Sequence, residues 1–249
     1  MPVSAWMLEQ LMLQPGQRVL ELAAGDGDTG FLAAELIRPG GTLVCSDASE
    51  AMLSVARARA HRLGIDNVEF RQLELEWIDL PAAAVDAVLC RWGVMLCVDP
   101  GAALREIRRV LRPGGRFSLA VWDDATLNPW ATIPRRALVN TGNASPPDPN
   151  APGPFALSAP GRLAELLEDA GFTQVIVQPI AVERIVQGVD AFVAETLDCT
   201  RLFAERYERL SDEQRASVVR EIASLAEPLR AADGSLRIPG RALGGAGSA

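Results

Sequence analysis

The chain has no lysine, one histidine, one tyrosine and only four cysteines among 249 residues. A lone His61 and the lack of any Cys-x-x-Cys pair leave no set of ligands for zinc, so no metal site is expected. Cys45, Cys90, Cys97 and Cys199 are too few and too scattered for a disulfide framework. Three of them sit in apolar contexts, where a reduced, buried thiol is the ordinary state. No apolar run approaches the roughly 20 residues that cross a bilayer, so no membrane span is expected. The opening Met1-Pro2-Val3-Ser4 shows neither the basic region nor the apolar core of a secretory leader. Reduced thiols and no leader predict a cytoplasmic protein.

All 24 basic residues are arginine, against 32 acids, for a net charge of −8. They are spaced along helical faces among acids, as with Arg105, Arg108, Arg109 and Arg112 around Glu106. A nucleic-acid binder needs clustered positive charge to displace phosphate counterions, so no nucleic-acid partner is expected. With 49% hydrophobic residues and a mean hydropathy of +0.12, the composition suits a sheet buried on both faces. The oligomeric state is left open, a homodimer included.

Residues 18–122 alternate short apolar runs with helical patterns, the signature of βαβ units around a parallel sheet. Strands are predicted at 18–22, 42–46, 68–72, 85–90 and 116–122. Helices are predicted at about 29–37, from the Ser49 cap to Leu63 ahead of Gly64, and at 100–111. From residue 140 to 161 proline, asparagine and glycine dominate, and a long irregular loop is expected. A helix at about 162–170, a strand at 174–178, two helices within 190–230 and a weak strand near 236–238 complete the pattern. The tail Gly244-Gly245-Ala246-Gly247-Ser248-Ala249 offers little side chain to pack and is expected to fray. The fold class expected is α/β: a doubly wound, mostly parallel seven-stranded sheet with helices on both faces and a helical cap inserted late.

Chemistry concentrates in Glu21-Leu22-Ala23-Ala24-Gly25-Asp26-Gly27-Asp28-Thr29-Gly30, between the first strand and the first predicted helix. Small residues at 23, 25 and 27 let the backbone approach a ligand and adopt conformations that a Cβ penalises. The strand order of such sheets reverses beside the first strand and opens a crevice at the strand C-termini. Gly25-x-Gly27-x-x-Gly30 also reads as a dinucleotide fingerprint, with Asp47 at the spacing of a ribose acid. Glu21 weighs against that. A carboxylate there repels a pyrophosphate but suits an α-ammonium group such as that of S-adenosylmethionine. At about 4 Å and an effective dielectric near 20, such an attraction is worth roughly 4 kcal/mol gross. A nicotinamide oxidoreductase is the second reading, weakened by the absence of lysine and hence of any Tyr-x-x-x-Lys pair. A catalytically silent cofactor binder is the third.

The same segment resembles the first motif of the class I S-adenosylmethionine-dependent methyltransferases, in the small-molecule branch of the ubiquinone and menaquinone biosynthesis enzymes. The resemblance covers residues 15–122 well and 160–180 loosely. It implies S-adenosylmethionine as cofactor and a small-molecule acceptor. It places Glu21, Ala23, Gly25 and Gly27 in the glycine loop and Asp47, with Ala48, at the ribose hydroxyls. Met52 falls under the adenine, Glu74 beside its amino group with Leu75 supplying backbone, and Arg91 by the methionine moiety. Ala23 stands where glycine is usual. The segment 75–85 is shortened, which leaves Glu74 and Glu76 as alternatives for the adenine. Only 17 residues precede the first strand, where relatives carry a longer cap. The implied organisation is a cofactor-binding domain at 1–182, a helical lid at 183–232, and a last weak strand with flexible tail at 233–249.

Trp92 and Trp122 follow the fourth and fifth strands at the crevice end and are expected, with Asp123, to face the acceptor. Asp123 and Asp124 read equally as helix-capping acids. Arg135 and Arg136 read as a solvated pair rather than an anion site. His61 lies nine residues from Met52 on one helix and projects away from it, so it is not expected to act as a base. No residue announces itself as a catalytic base, and the catalytic set stays unknown.

Overall fold

The computed structural model describes residues 2–146 and 153–249. Part of the predicted irregular loop, 147–152, lies outside the described residues. The first half runs α1 (Pro2–Leu11), β1 (Arg18–Leu22), α2 (Gly30–Leu36), β2 (Thr42–Asp47), α3 (Glu50–Leu63), β3 (Val68–Gln72), β4 (Val85–Arg91), α4 (Pro100–Val110) and β5 (Leu111–Trp122). The second half runs α5 (Pro129–Asn140), α6 (Arg162–Asp169), β6 (Thr173–Val186), α7 (Gly188–Cys199), α8 (Arg201–Glu208), α9 (Asp212–Ala226) and β7 (Leu236–Ser248).

The seven strands form one sheet in the order β3-β2-β1-β4-β5-β7-β6. The pairs from β3 to β5 are parallel, and β7 runs antiparallel to β5. β1 is central, with Leu20 opposite Val44 on one side and Val88 on the other. The strands beside it buried Leu43, Val44, Ala87 and Leu89 on both faces, which is why their sequences read as continuous apolar runs. The chain leaves β1 for β2 in one direction and returns to β4 in the other. That reversal opens a crevice above the C-terminal ends of β1 and β4.

Local signals set the helix ends. Ser49 Oγ accepts the Met52 N–H at the start of α3, and Gly64 closes that helix at φ +69°. Ser211 and Gln214 form a reciprocal capping box at the start of α9.

The seventeen residues before β1 include a helix: Val3, Met7 and Leu11 are buried on one stripe of α1, and Arg116 Nε donates to the Gln10 carbonyl. One expectation needs correction. The tail does not fray, because Gly244–Ser248 belong to β7 and pair with β5 from Arg116 to Ala120. Its glycines are what permit this. A Cβ on Gly244 would fall on the Trp6 ring, and one on Gly247 would press on Phe117 and the Thr173 carbonyl. Outside the sheet core, 123–160 and 183–230 are the segments expected to form the lid. The chain forms two compact units, one of Met1–Trp122, Pro152–Ile180 and Ala242–Ala249, the other of Asp123–Ala151 and Ala181–Arg241. α5 packs with α7 and α9 inside the second unit, around Ile133, Phe192, Phe203 and Ile222.

Candidate active site

A cavity of about 580 Å³ lies in the crevice of the first unit, lined from β1, the glycine loop, the ends of β2 and β4, and the segment after β3. Its floor begins with Glu21, which is 2% exposed. Oε1 accepts the Gly30 N–H at 2.7 Å, while Oε2 is buried with no hydrogen-bond partner. Burial pushes this carboxyl up to about 8, against the lowering effects of the Gly30 N–H, Arg91 and the Cys45 thiol. Gly30 must be glycine here, because a Cβ would fall on Glu21 Oε2.

The loop above Glu21 holds Ala23, Gly25 and Gly27 in the left-handed region at φ +51°, +57° and +81°. Ala23 therefore occupies a conformation that costs an ordinary residue about 1 kcal/mol, strain typical of functional loops. The loop is pinned from both sides. The Gly25 N–H donates to Asp47 Oδ2 at 2.9 Å, and Arg59 bridges Asp26 and Asp28. Burial raises the Asp28 carboxyl, but the charges and hydrogen bonds of Arg59 and Arg91 outweigh it and hold the group below its usual value. Arg91 also donates to Ser4 Oγ on α1, and Ser4 meets Thr29, so the N-terminal helix is tied to the loop.

At the start of α2 the Gly30 N–H is taken by Glu21 and the Phe31 N–H by the Gly27 carbonyl at 3.0 Å. A pyrophosphate needs such donors unpaired. These two are spent, and the buried polar atom of the cavity lining that lacks a partner is an acceptor, Glu21 Oε2. The site's chemistry therefore fits a ligand that brings a positive donor and does not fit a diphosphate.

Nine of the ten residues singled out for cofactor contact line this cavity: Glu21, Ala23, Gly25, Asp47, Ala48, Met52, Glu74, Leu75 and Arg91. Gly27 does not. It is buried against the Phe31 ring, where a Cβ would clash, so it shapes the loop from behind. Asp47 Oδ1 accepts from Ser49 N and Oδ2 from Gly25 N, which aims the carboxylate along the cavity edge. The two acids after β3 both line the wall but differ: Glu76 accepts the Asp99 N–H, whereas the Glu74 carboxylate has no partner among the described residues.

Trp92 lines the cavity in a left-handed conformation, φ +68°, and its ring stacks on Trp122 with centroids 4.0 Å apart and planes 3° from parallel. Trp122 supports that ring from behind and is not itself in the lining. Asp123 departs from expectation: it is outside the lining, ion-paired to Arg241 and accepting the Asp124 N–H, while Asp124 caps a turn at Thr126. Both are structural acids in this geometry. His61, in the exposed last turn of α3, is also outside the lining. Sequence reasoning put Gly93 with Arg91 and Trp92 beside the methionine moiety but missed Ala24, Asp26, Leu96 and Cys97 in the wall. Gly93 carried a readable signal, a glycine just past β4, and a Cβ there would strike Cys90 and Ala23. Burial pushes the Cys97 thiol up to about 12, so it stays protonated.

A doubly wound sheet with this glycine loop and strand-end acids defines a nucleotide-type binding site of the Rossmann-like class. Comparison with known proteins narrows it. Residues 13–144 match the family model described as a methyltransferase domain. The chain is 33% identical over 122 residues to the ubiquinone/menaquinone biosynthesis C-methyltransferase UbiE of Pasteurella multocida, covering 49% of this chain and 46% of that protein. UbiE of Hahella chejuensis is 38% identical over 107 residues, covering 42% and 43%. The chain thus spans under half the length of the curated relatives it matches. Among solved structures, YcgJ from Bacillus subtilis superimposes with a TM-score of 0.63 at 21% identity, covering 99% of this chain and 97% of that one. A SAM-dependent methyltransferase from Aquifex aeolicus gives 0.51 at 22% identity, covering 74% and 82%. These likenesses establish the fold, and the family match establishes the class. The chain belongs to the methyltransferase-domain family.

Proposed function

We propose that this protein transfers the methyl group of S-adenosylmethionine to a small-molecule acceptor. The observation that carries the reading is the buried, unpartnered Glu21 Oε2 beside a left-handed glycine loop, where the Gly30 and Phe31 N–H groups at the helix start are already occupied. An α-ammonium group satisfies that oxygen, and a diphosphate does not. Asp47 takes the ribose hydroxyls, with Ala48 leaving room beside them. Met52 packs under the adenine. Glu74, the unengaged acid of its pair, accepts from the adenine amino group next to the Leu75 backbone. Arg91 acts mainly as a strut, holding Asp28 and Ser4 and so the loop.

When bound, the sulfonium supplies an activated methyl group open to in-line displacement. The chain's part is alignment and exclusion of water, which in favourable cases lowers a barrier by about 7–11 kcal/mol. The Trp92 ring, braced by Trp122, supplies an apolar wall on the acceptor side. A base is required only where the nucleophile must lose a proton early, and the cavity wall holds no histidine. An electron-rich carbon, the acceptor type of the C-methyltransferase relatives, is the first acceptor to assay. No helix among the described residues is long and apolar enough to cross a membrane.

Calorimetry against S-adenosylmethionine, S-adenosylhomocysteine and NADH tests the cofactor, with saturable binding expected for the first two alone. Transfer of labelled methyl from S-adenosylmethionine into small molecules of a cell extract tests the reaction. Binding without any transfer would mark a silent binder, and NADH binding would reverse the assignment.

A further inference from the structure

The helical unit contains a second cavity, about 410 Å³, which the methyl-transfer reading does not use. Its wall is built from Asn143 after α5, Leu202, Glu205 and Arg206 on α8, and Arg209 and Leu210 just beyond that helix. Many of the chain's arginines pair with acids, as in Arg18–Glu69, Arg59–Asp28 and Arg184–Glu195. Arg206 and Arg209 stand together in this one hollow, and neither guanidinium has a hydrogen bond or close ion pair among the described residues; Arg209 acts on Glu205 through its charge alone. A third cation, Arg135 on α5, stands close enough to feel Arg206, and burial together with that charge lowers its pKa. Glu205, the acid in the wall, is hydrogen-bonded to Arg201 at 2.6 Å and also feels the charge of Arg209. A chain of net charge −8 thus places more cations than acids at one hollow among the described residues. Beside the charged groups and Asn143 the wall is apolar: Leu202 is 64% exposed beside Leu210.

We propose that this cavity binds an oxyanion, carboxylate or phosphate, carried on a short apolar group. The oxyanion sits on Arg206 and Arg209, whose planar forks match two oxygens at once, and the apolar part covers Leu202 and Leu210. The ligand offsets the repulsion between Arg206 and Arg135 and takes an exposed leucine out of water. Binding here is independent of cofactor chemistry and persists whether or not the methyl-transfer reading holds.

The test is titration calorimetry on the full chain with octyl phosphate, octanoate, octanol and inorganic phosphate, each below its micellar concentration and in saturating S-adenosylhomocysteine. Saturable binding is expected for the two amphiphilic anions, weaker binding for phosphate, and none for octanol. The stronger of octyl phosphate and octanoate identifies the head group. Arg206→Gln with Arg209→Gln should weaken the stronger ligand by about tenfold or more, and rising salt should weaken it further. Arg62→Gln with Arg71→Gln, an equal charge loss in the first unit, should leave it unchanged. Should the first double variant misfold by circular dichroism, Leu202→Glu at its exposed site must produce the same loss. No saturable binding, octanol binding as well as the anions, or equal losses in the two double variants would overturn the assignment.

Discussion

The protonation state of Glu21 makes a quantitative prediction about cofactor binding. Without ligand its carboxyl titrates at about 8, because burial outweighs the Gly30 N–H and Arg91. Receiving an ammonium requires the carboxylate, so at pH 7 most of a proton must leave, at a cost on the order of 1 kcal/mol. An opposite charge at about 4 Å returns roughly 4 kcal/mol gross at an effective dielectric of 20, so binding still wins. The amino group of the ligand loses its own proton around pH 8. Affinity for S-adenosylhomocysteine should therefore peak near pH 8, with log Kd changing by about one unit per pH unit below pH 7. Calorimetry at pH 7 in two buffers of different ionisation enthalpy should report net proton release. Glu21→Gln keeps the shape, leaves one neutral acceptor, and should weaken binding at pH 8 by about 30-fold, near 2 kcal/mol, while flattening the acidic limb. An affinity constant from pH 6 to 8, with no buffer-dependent enthalpy, would refute the reasoning.

The remaining predictions are simpler. Asp47→Ala should weaken S-adenosylhomocysteine by about tenfold or more, since it removes the acceptor for the ribose hydroxyls and unties Gly25; an unchanged Kd would remove Asp47 from the site. Gly30→Ala forces a methyl group onto Glu21 Oε2 and should cost about 1–3 kcal/mol in urea unfolding, along with cofactor affinity. Gly244→Val drives a branched side chain into the Trp6 ring, and a lowered midpoint by thermal denaturation should follow; a frayed tail would show no change. His61→Ala should leave methyl transfer intact, and loss of turnover in a folded variant would restore it as a base.

Residues 18–122 were legible in sequence because two signals coincided there. Parallel strands buried on both faces appear as apolar runs, and Ser49, Gly64, Pro100 and Gly171 punctuate the helices between and beyond them. The glycine loop was legible for a related reason: small residues at fixed spacing mark backbone that must turn left-handed, as Ala23, Gly25 and Gly27 do. Most of the cavity wall followed from that loop and the strand ends. β6, an edge strand with Pro179 inside it, ran longer than its short apolar core suggested.

What the residues alone settle is the alternation of strand and helix, the glycine loop, and the identities of the acids at the ends of β1 and β2. Those properties are local, written in neighbours and in spacing. Tertiary structure decided the rest: that Glu21 is buried with one oxygen unanswered, that Asp123 is held by Arg241, that α5 joins the late helices, and that a glycine tail becomes a strand against Trp6 and Phe117. Each of these rests on groups brought together from distant positions, where desolvation and close packing, rather than local propensity, set the outcome.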